Sequence, residues 1–429
     1  MISTEGWKTY RLGDCVNFLS GGTPSKKNPE YWDGDIPWVS CKDMKTTYLS
    51  DSQDHITEAG AANGTRLVSP GTILIVVRGM ILSQHFPVAI AKRKMAFNQD
   101  LKALQCAPNV DQKFLFHWLQ GKSYEILGIA DEAAHGTKRL QTDRLQNFPL
   151  HLPPLPLQRK IATILSAYDD LIENNRRRIE ILEEMARSLY REWFVNFRFP
   201  GHEQVKMVDS ELGLIPEGWE VKQLGNIVLE IIDYRGKTPK KLGSDWSESG
   251  ILAISAKNIK QGKLINLDKS NFVDEALYNK WMKSELKQGD ILMTSEAPLG
   301  ELYYLVKHQK FCLSQRVYSI RANPDIIKPS ILFSALYSPL IQEQIYARQS
   351  GTTVLGIRQT ELRKVPVIVP SINLQTSASQ ILDDLFKSIE TLQRKNANLR
   401  QTRDLLLPKL ISGEIDVENL DINTGEIAA

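Results

Sequence analysis

Four cysteines in 429 residues, Cys15, Cys41, Cys106 and Cys312, never fall into a CxxC spacing. A disulfide framework and a thiolate zinc site are therefore unsupported, and reduced thiols in a cytoplasmic protein are the expectation. Long apolar runs are missing as well. The longest, such as residues 73–77, are far below the about 20 residues of a membrane span. Residues 1–6 lack the basic stretch and apolar run of an export signal, so neither export nor a membrane partner is expected. Charge of one sign is scarce: 53 Lys plus Arg against 50 Asp plus Glu leave +3, too little to announce a polyanion partner. Any nucleic-acid case must rest on where the charges lie.

Catalytic signatures are equally sparse. No GxGxxG turn and no DPPY or NPPY loop of an amino-methyltransferase occurs, so the chain is not expected to methylate DNA by itself. Gly236-Lys237-Thr238 imitates the end of a GxxxxGK[ST] loop, but Ile231 stands where the first glycine is required, so no phosphate cradle forms. Seven histidines show no HExxH pairing. Asp274, Glu285 and Lys287 loosely resemble a Mg²⁺-nuclease set, which keeps a standalone nuclease as the rival reading. Recognition without catalysis is the leading one.

What is present is an internal repeat, in a chain long enough for two or three domains of ordinary globular composition. Gly6-Trp7 recurs as Gly218-Trp219, and Leu12-Gly13 as Leu224-Gly225. Residues 69–74 answer 287–292, Gly136-Thr137 answers Gly351-Thr352, 148–153 answer 365–370, and Leu157-Gln158 answers Leu374-Gln375. The offsets, 212 to 218, are nearly constant and far too long for a solenoid of about 20–50 residues per unit. Two whole domains are implied, each a mixed α/β globule followed by a long helix. Strands are expected at 73–77, 88–91, 251–254 and 365–369, and helices at 112–119 and 330–337.

The two helical segments carry heptad stripes. One runs Leu165, Tyr168, Ile172, Asn175, Ile179, Leu182, Ala186, Leu189; the other runs Leu382, Leu385, Ile389, Leu392, Asn396, Leu399, Arg403, Leu406. A seam of this period asks for a partner helix, and each repeat supplies one. Residues 158–194 would span about 55 Å at about 1.5 Å per residue, and antiparallel pairing would make the helices a spacer with one globule at either end. Pro153, Pro154 and Pro156 precede the first helix, while Pro370 and Pro408 bracket a second that should be slightly shorter. Arg176-Arg177-Arg178 is offset by acidic neighbours and reads as a solvated, ion-paired face. Asn175 and Asn396 set register. Trp193 to Phe197 reads as a hydrophobic plug.

Several Gly-rich turns combine basic and small polar residues: 21–27, 136–139, 234–241 and 351–353. Lysine and arginine there can neutralise phosphates, backbone amides beside the glycines can approach them, and Arg, Asn or Gln can read base edges. Their recurrence at equivalent places of both repeats is what raises each above a simple solvated turn.

With the repeat and the paired helices in place, the sequence resembles the specificity (S) subunit of type I restriction-modification systems. The likeness is carried by residues 189–200 (LYREWFVNFRFP), 406–415 (LLPKLISGEI), Ile215-Pro216-Glu217-Gly218-Trp219, Asp233 to Pro239 and Ile254 to Ile259. It implies an α+β (mixed α/β) fold: two similar target-recognition domains separated by two long helices in an antiparallel coiled coil with a pseudo-two-fold repeat. The domains would be residues 1–155 and 218–370, the spacer helices 156–200 and 371–412, with a linker at 201–217 and a tail at 413–429. It further implies a noncatalytic subunit that reads a bipartite, asymmetric site on double-stranded DNA. Its partners would be two methyltransferase (M) subunits and motor-nuclease (R) subunits, which would hold S-adenosylmethionine, ATP and Mg²⁺; the chain itself would bind no cofactor or metal. The expected DNA contacts are Lys26, Lys42, Arg78, Lys138 and Arg139 in the first domain. Those in the second are Arg235, Lys237, Lys257, Asn258, Arg316 and Thr352. An acidic anti-restriction mimic is disfavoured by the +3 charge.

Overall fold

A computed structural model describes residues 6–132, 136–351 and 353–424. The chain divides into two units, and the division runs through both long helices: residues up to Asn175 join those from Lys395 onward, while Arg176–Arg394 form the other. Among the described residues no helix is long and apolar enough to cross a membrane, and all four cysteines are free.

In the first unit a five-stranded sheet runs in the order Val16–Ser20, Leu101–Cys106, Ile73–Val76, Val88–Ala91, Tyr48–Leu49. Ile73–Val76 and Val88–Ala91 are buried at every position, so they read as unbroken apolar runs rather than as an alternation. Helix Gln112–Gly121, capped by Asp111, drives Phe114, Leu115, Phe116, Trp118 and Leu119 into that core. A second sheet orders Asp54–Ile56, Trp32–Val39, Met95–Phe97 and Arg66–Val68.

The second unit repeats this plan. Its main sheet orders Val228–Asp233, Val317–Ala322, Ile291–Ser295 and Leu299–Tyr304, and its smaller one Phe272–Val273, Ile251–Ile254 and Cys312–Leu313. Each smaller sheet holds one parallel pair, through Ala96 opposite Trp38 and Ala253 opposite Cys312. Each globule also closes on an antiparallel ribbon, Lys8–Arg11 with Pro149–Leu152 and Glu220–Gln223 with Pro366–Val369. The sequence repeat is thus a repeat of strand order.

Gln158 and Gln375 give the matched Leu-Gln pairs a physical reason. Gln158 is buried; its Oε1 accepts from the Asp111 amide at 2.8 Å, and its Nε2 donates to the Asn109 and Pro153 carbonyls at 3.0 and 2.8 Å. Gln375, also buried, does the same with the Lys328 amide at 2.9 Å and the Ile326 and Pro370 carbonyls at 3.0 and 2.8 Å. Each side chain ties the start of a long helix to the helix packed on its own globule. Replacing either by Leu leaves three backbone groups, one buried and two part-buried, without that partner, so thermal unfolding of Gln158→Leu or Gln375→Leu should show a loss of roughly 2–4 kcal/mol. An unchanged melting temperature would remove the latch.

The long helices span Leu155–Tyr190 and Ile372–Ile411. The second runs 40 residues against 36 for the regular α-helical part of the first, and Pro408 is accommodated within it instead of ending it. The first passes into a π turn over Arg191–Val195, which buries Phe194. In the first unit Asp169 bonds Arg403 and Asn175 bonds Asn396, so the helices run antiparallel. Asn175 Nδ2 donates to Asn396 Oδ1 at 2.9 Å, and Asn396 Nδ2 donates to the Ile172 carbonyl at 3.2 Å. Both amides are therefore partnered inside the seam, which fixes register. In the second unit Ile179, Ile389 and Leu392 form a buried cluster with Leu182 and Phe386.

The end of the second helix docks on the first globule. Leu407, Leu410 and Ile411 join its core, followed by Val417. Close approach here requires Gly121, where a Cβ would lie 2.3 Å from Ile411 Cδ1. Lys160 Nζ fastens the tail through the Glu418 and Leu420 carbonyls at 2.6 and 2.9 Å. In the second unit Ala186, Phe194 and Phe199 play the matching role, and Phe194, Phe197 and Phe199 surround Trp219, so the aromatic run is a plug as its composition suggests.

Candidate nucleic-acid interface

Beside the main sheet of the first unit lies a three-stranded ribbon ordered Asp131–Glu132, Lys138–Arg139, Arg78–Gly79. Arg139 is directly opposite Arg78, and Lys138 is opposite Gly79. Three expected contacts separated by some sixty residues thus meet on one element. Arg78 and Arg139 are exposed and Lys138 half-buried. Lys26 is exposed in the loop after Gly22, and Lys42 is exposed but ion-paired with Asp54 at 2.9 Å. Cys41 ties the Lys42 loop to the ribbon, its Sγ donating to the Arg78 carbonyl at 3.3 Å.

Gly21 and Gly22 serve packing and not approach to a phosphate. A Cβ on Gly21 would lie 2.2 Å from the Phe97 carbonyl oxygen, and one on Gly22 2.0 Å from that of Gly64. The Gly22 carbonyl accepts from Trp38 Nε1 at 2.9 Å. These glycines let the loop lie flat on the second sheet.

In the second unit the cations are occupied by the protein's own groups. Arg235 pairs with Asp233 at 2.9 Å and lies over the Tyr318 ring at 4.2 Å. Arg316 pairs with Glu296 at 3.1 Å, from a backbone φ of +63° that strains a non-glycine residue. Lys237 Nζ donates to the Trp281 carbonyl at 2.7 Å, and Lys257 Nζ to that of Lys269 at 2.8 Å. Arg235 and Arg316 belong together, since the Glu296 charge acts on Arg235 as well. Lys237 shares the loop of Arg235, and Lys257 stands on another. Thr352 lies outside the described residues.

Asn258 cannot contact DNA in this structure. It is fully buried and caps the turn Ala256–Asn258: its Oδ1 accepts from the Ser255 amide and its Nδ2 donates to Ser270 Oγ at 2.7 Å. The sequence motif looked like a polar reading loop because a buried turn cap and a base reader use the same residue type.

The rival nuclease set also dissolves. Asp274 caps helix Glu275–Trp281, its Oδ1 accepting from the Leu277 amide at 2.7 Å. Among the described residues no group of three or more His, Cys, Asp or Glu is arranged to hold a metal ion. Two residues that sequence reading missed border the ribbon: Met80, 68% exposed directly after Gly79, and Lys102, whose ammonium burial and then Arg139 hold below the ordinary lysine range. Met80 had no sequence signal, since a single methionine after an apolar strand reads as core.

Comparison with known proteins places this arrangement. A family model described as the type I restriction modification DNA specificity domain matches residues 4–184 and again 216–401, one match per repeat. The type I restriction enzyme MjaIX specificity subunit of Methanocaldococcus jannaschii is 29% identical over 97% of this chain and 95% of its own length. The EcoR124I/EcoR124II specificity subunit of Escherichia coli is 35% identical over 45% of this chain and 49% of its own. The crystal structure of the S subunit of a type I system from M. genitalium superposes with a TM-score of 0.60 at 17% identity, covering 94% of this chain and 96% of that one, and so supports the fold. Matched in both halves by one family model, the chain belongs to the type I restriction-modification DNA specificity family, that of the noncatalytic recognition subunits.

Proposed function

We propose that the chain reads a bipartite, asymmetric site on double-stranded DNA and positions methyltransferase and motor-nuclease subunits there. The observation that carries this reading is the repeated globule with diverged loops: the same strand order presents Arg78, Lys138 and Arg139 in one copy and the ion-paired Arg235 and Arg316 in the other. Two unlike readers on one chain give two unlike half-sites. Lys26 and Lys42 belong to the first reader; Lys237, Lys257 and Thr352 complete the second. The seam of the helix pair sets the spacing of the half-sites, because its buried asparagines permit one register.

By this reading the domains are 1–155 and 218–370, and the chemistry belongs to partners. Two methyltransferase subunits would supply S-adenosylmethionine and flip the target adenine from the base stack, and motor-nuclease subunits would supply ATP and Mg²⁺. The test is methylome sequencing of the host with and without this gene. A split motif with adenine methylation should vanish on deletion and return with the gene on a plasmid. A methylome unchanged by deletion would reject the proposal.

A further inference from the structure

The ribbon of the first unit carries an electrostatic conflict that packing does not require. Arg139 and Arg78 are directly opposed, and like charges in that position destabilise a ladder. Asp131 is in register with Arg139 on the other side and could neutralise it. It is committed elsewhere: Oδ1 pairs with Arg144 at 2.7 Å and Oδ2 accepts from Gln141 at 3.2 Å. Among the described residues neither Arg78 nor Arg139 has a side-chain hydrogen bond or ion pair. Lys102 adds a third cation close enough for Arg139 to depress its proton affinity, and donates to Ser20 Oγ at 2.6 Å.

The second unit treats the matching position in the opposite way. There the bridge equivalent to Arg78–Arg139 joins Glu296 to Gly356, and Glu296 neutralises Arg316. The fold can therefore be built at this point without opposed cations. Their presence in one copy alone marks a requirement of that copy's ligand.

We propose that Arg78 and Arg139 form a two-guanidinium clamp for paired acceptor atoms on duplex DNA. Directly opposed residues of a ladder have Cα atoms about 4.5–5.5 Å apart, which sets two planar forks side by side. A narrow β-ribbon fits the major groove, where guanine offers N7 and O6 to such a fork. Phosphate oxygens offer the same paired geometry at the groove's edge. This clamp rests on the DNA-reading assignment above and deepens it: the first half-site is held by unneutralised arginines, the second by arginines that must exchange a carboxylate for DNA.

The experiment uses the full-length chain with its partner subunits, mixed-sequence duplex for salt titration, and the methylated motif as the readout of base recognition. Arg78→Gln and Arg139→Gln should each weaken binding roughly 10- to 100-fold, with a melting temperature unchanged or higher because a like-charge contact is relieved. If the acceptors are guanine edges, one position of the first half-site relaxes and Arg78→Lys does not restore it. If they are phosphates, the motif is kept, the slope of log affinity against log salt falls by about 1, and Arg78→Lys restores it. Wild-type binding and an unaltered motif in both Gln variants overturn the clamp while leaving DNA reading intact. A lowered melting temperature that accounts for the lost binding likewise overturns it, in favour of a structural role. Failure of the wild-type complex to bind duplex DNA would reject the underlying reading itself.

Discussion

Deleting the facing heptads 176–182 and 389–395 should shorten the preferred gap between the half-sites by up to about three base pairs, with both half-sites unchanged. Asn175 meets Asn396 next to this segment, and Ile179, Leu182, Ile389 and Leu392 lie within it, so the cut removes two matched layers and leaves the buried amide pair in register. Seven residues at about 1.5 Å each remove roughly 10 Å of helix, against about 3.4 Å per base pair. A whole heptad, two turns of a 3.5-residue repeat, also preserves the facing of the seam. Methylome sequencing of a strain carrying the shortened gene reads both quantities at once. A motif with altered half-sites and the old gap would mean that the helices do not measure distance.

The second large effect lies where the helix pair meets the first globule. Asp169, 2% exposed at its side chain, pairs with Arg403, and its other oxygen faces the buried His117 Nδ1 at 3.8 Å, beyond hydrogen-bonding range. His117 Nε2 lies 3.1 Å from Ser166 Oγ. Removing Arg403 strands a carboxylate among groups unable to solvate it, so Arg403→Ala should cost about 3–5 kcal/mol. Replacing both partners, as in Asp169→Leu with Arg403→Leu, should recover most of that loss, because the charge and its counter-charge leave together. A double variant no better than the single would mean that the pair contributes through packing alone.

The same cluster makes the first unit acid-sensitive. Burial, aided by the Arg403 charge, pushes the His117 imidazole down to about 3, so it is neutral in the folded protein. An unfolded histidine takes up its proton near pH 6.5. The folded-state value is depressed, so this contribution is complete above pH 6.5 and lost as pH falls toward about 3, by up to about 1.4 kcal/mol per pH unit. Asp169 acts in the opposite sense: burial raises its carboxyl, so the folded state takes up that proton first and is relieved at low pH. Denaturant midpoints measured from pH 7.5 to 4.5 should fall for the wild type and fall less for His117→Asn. Parallel curves would remove His117 as the cause.

The repeat, the two stripes and the register asparagines were legible because each rests on spacing along the chain. Gln158 and Gln375 were visible as matched letters but not as latches, since their partners at residues 109–111 and 326–328 come near only through the fold. Arg403 was placed in its stripe, yet its partner could not be named, because Asp169 stands beside the stripe position Tyr168 and only the pairing of the helices brings it in. The candidate site was read least well. Arg78 and Arg139 were named as separate turn residues, whereas strand pairing sets them face to face. Asn258 and Gly22 were named for chemistry that the structure assigns to burial and close packing.

The division of the chain through both long helices carries a consequence for synthesis. A ribosome that has passed Arg394 has synthesised every segment of the second unit, while the first still lacks the strip from Lys395 onward that supplies Leu407, Leu410 and Ile411 to its core. The globule made first is therefore completed second. A nonsense codon near residue 395 would strip the buttress from the amino-terminal reader and spare the other. Loss of one half of the target after such a truncation would thus fall on the half encoded at the far end of the gene from the lesion.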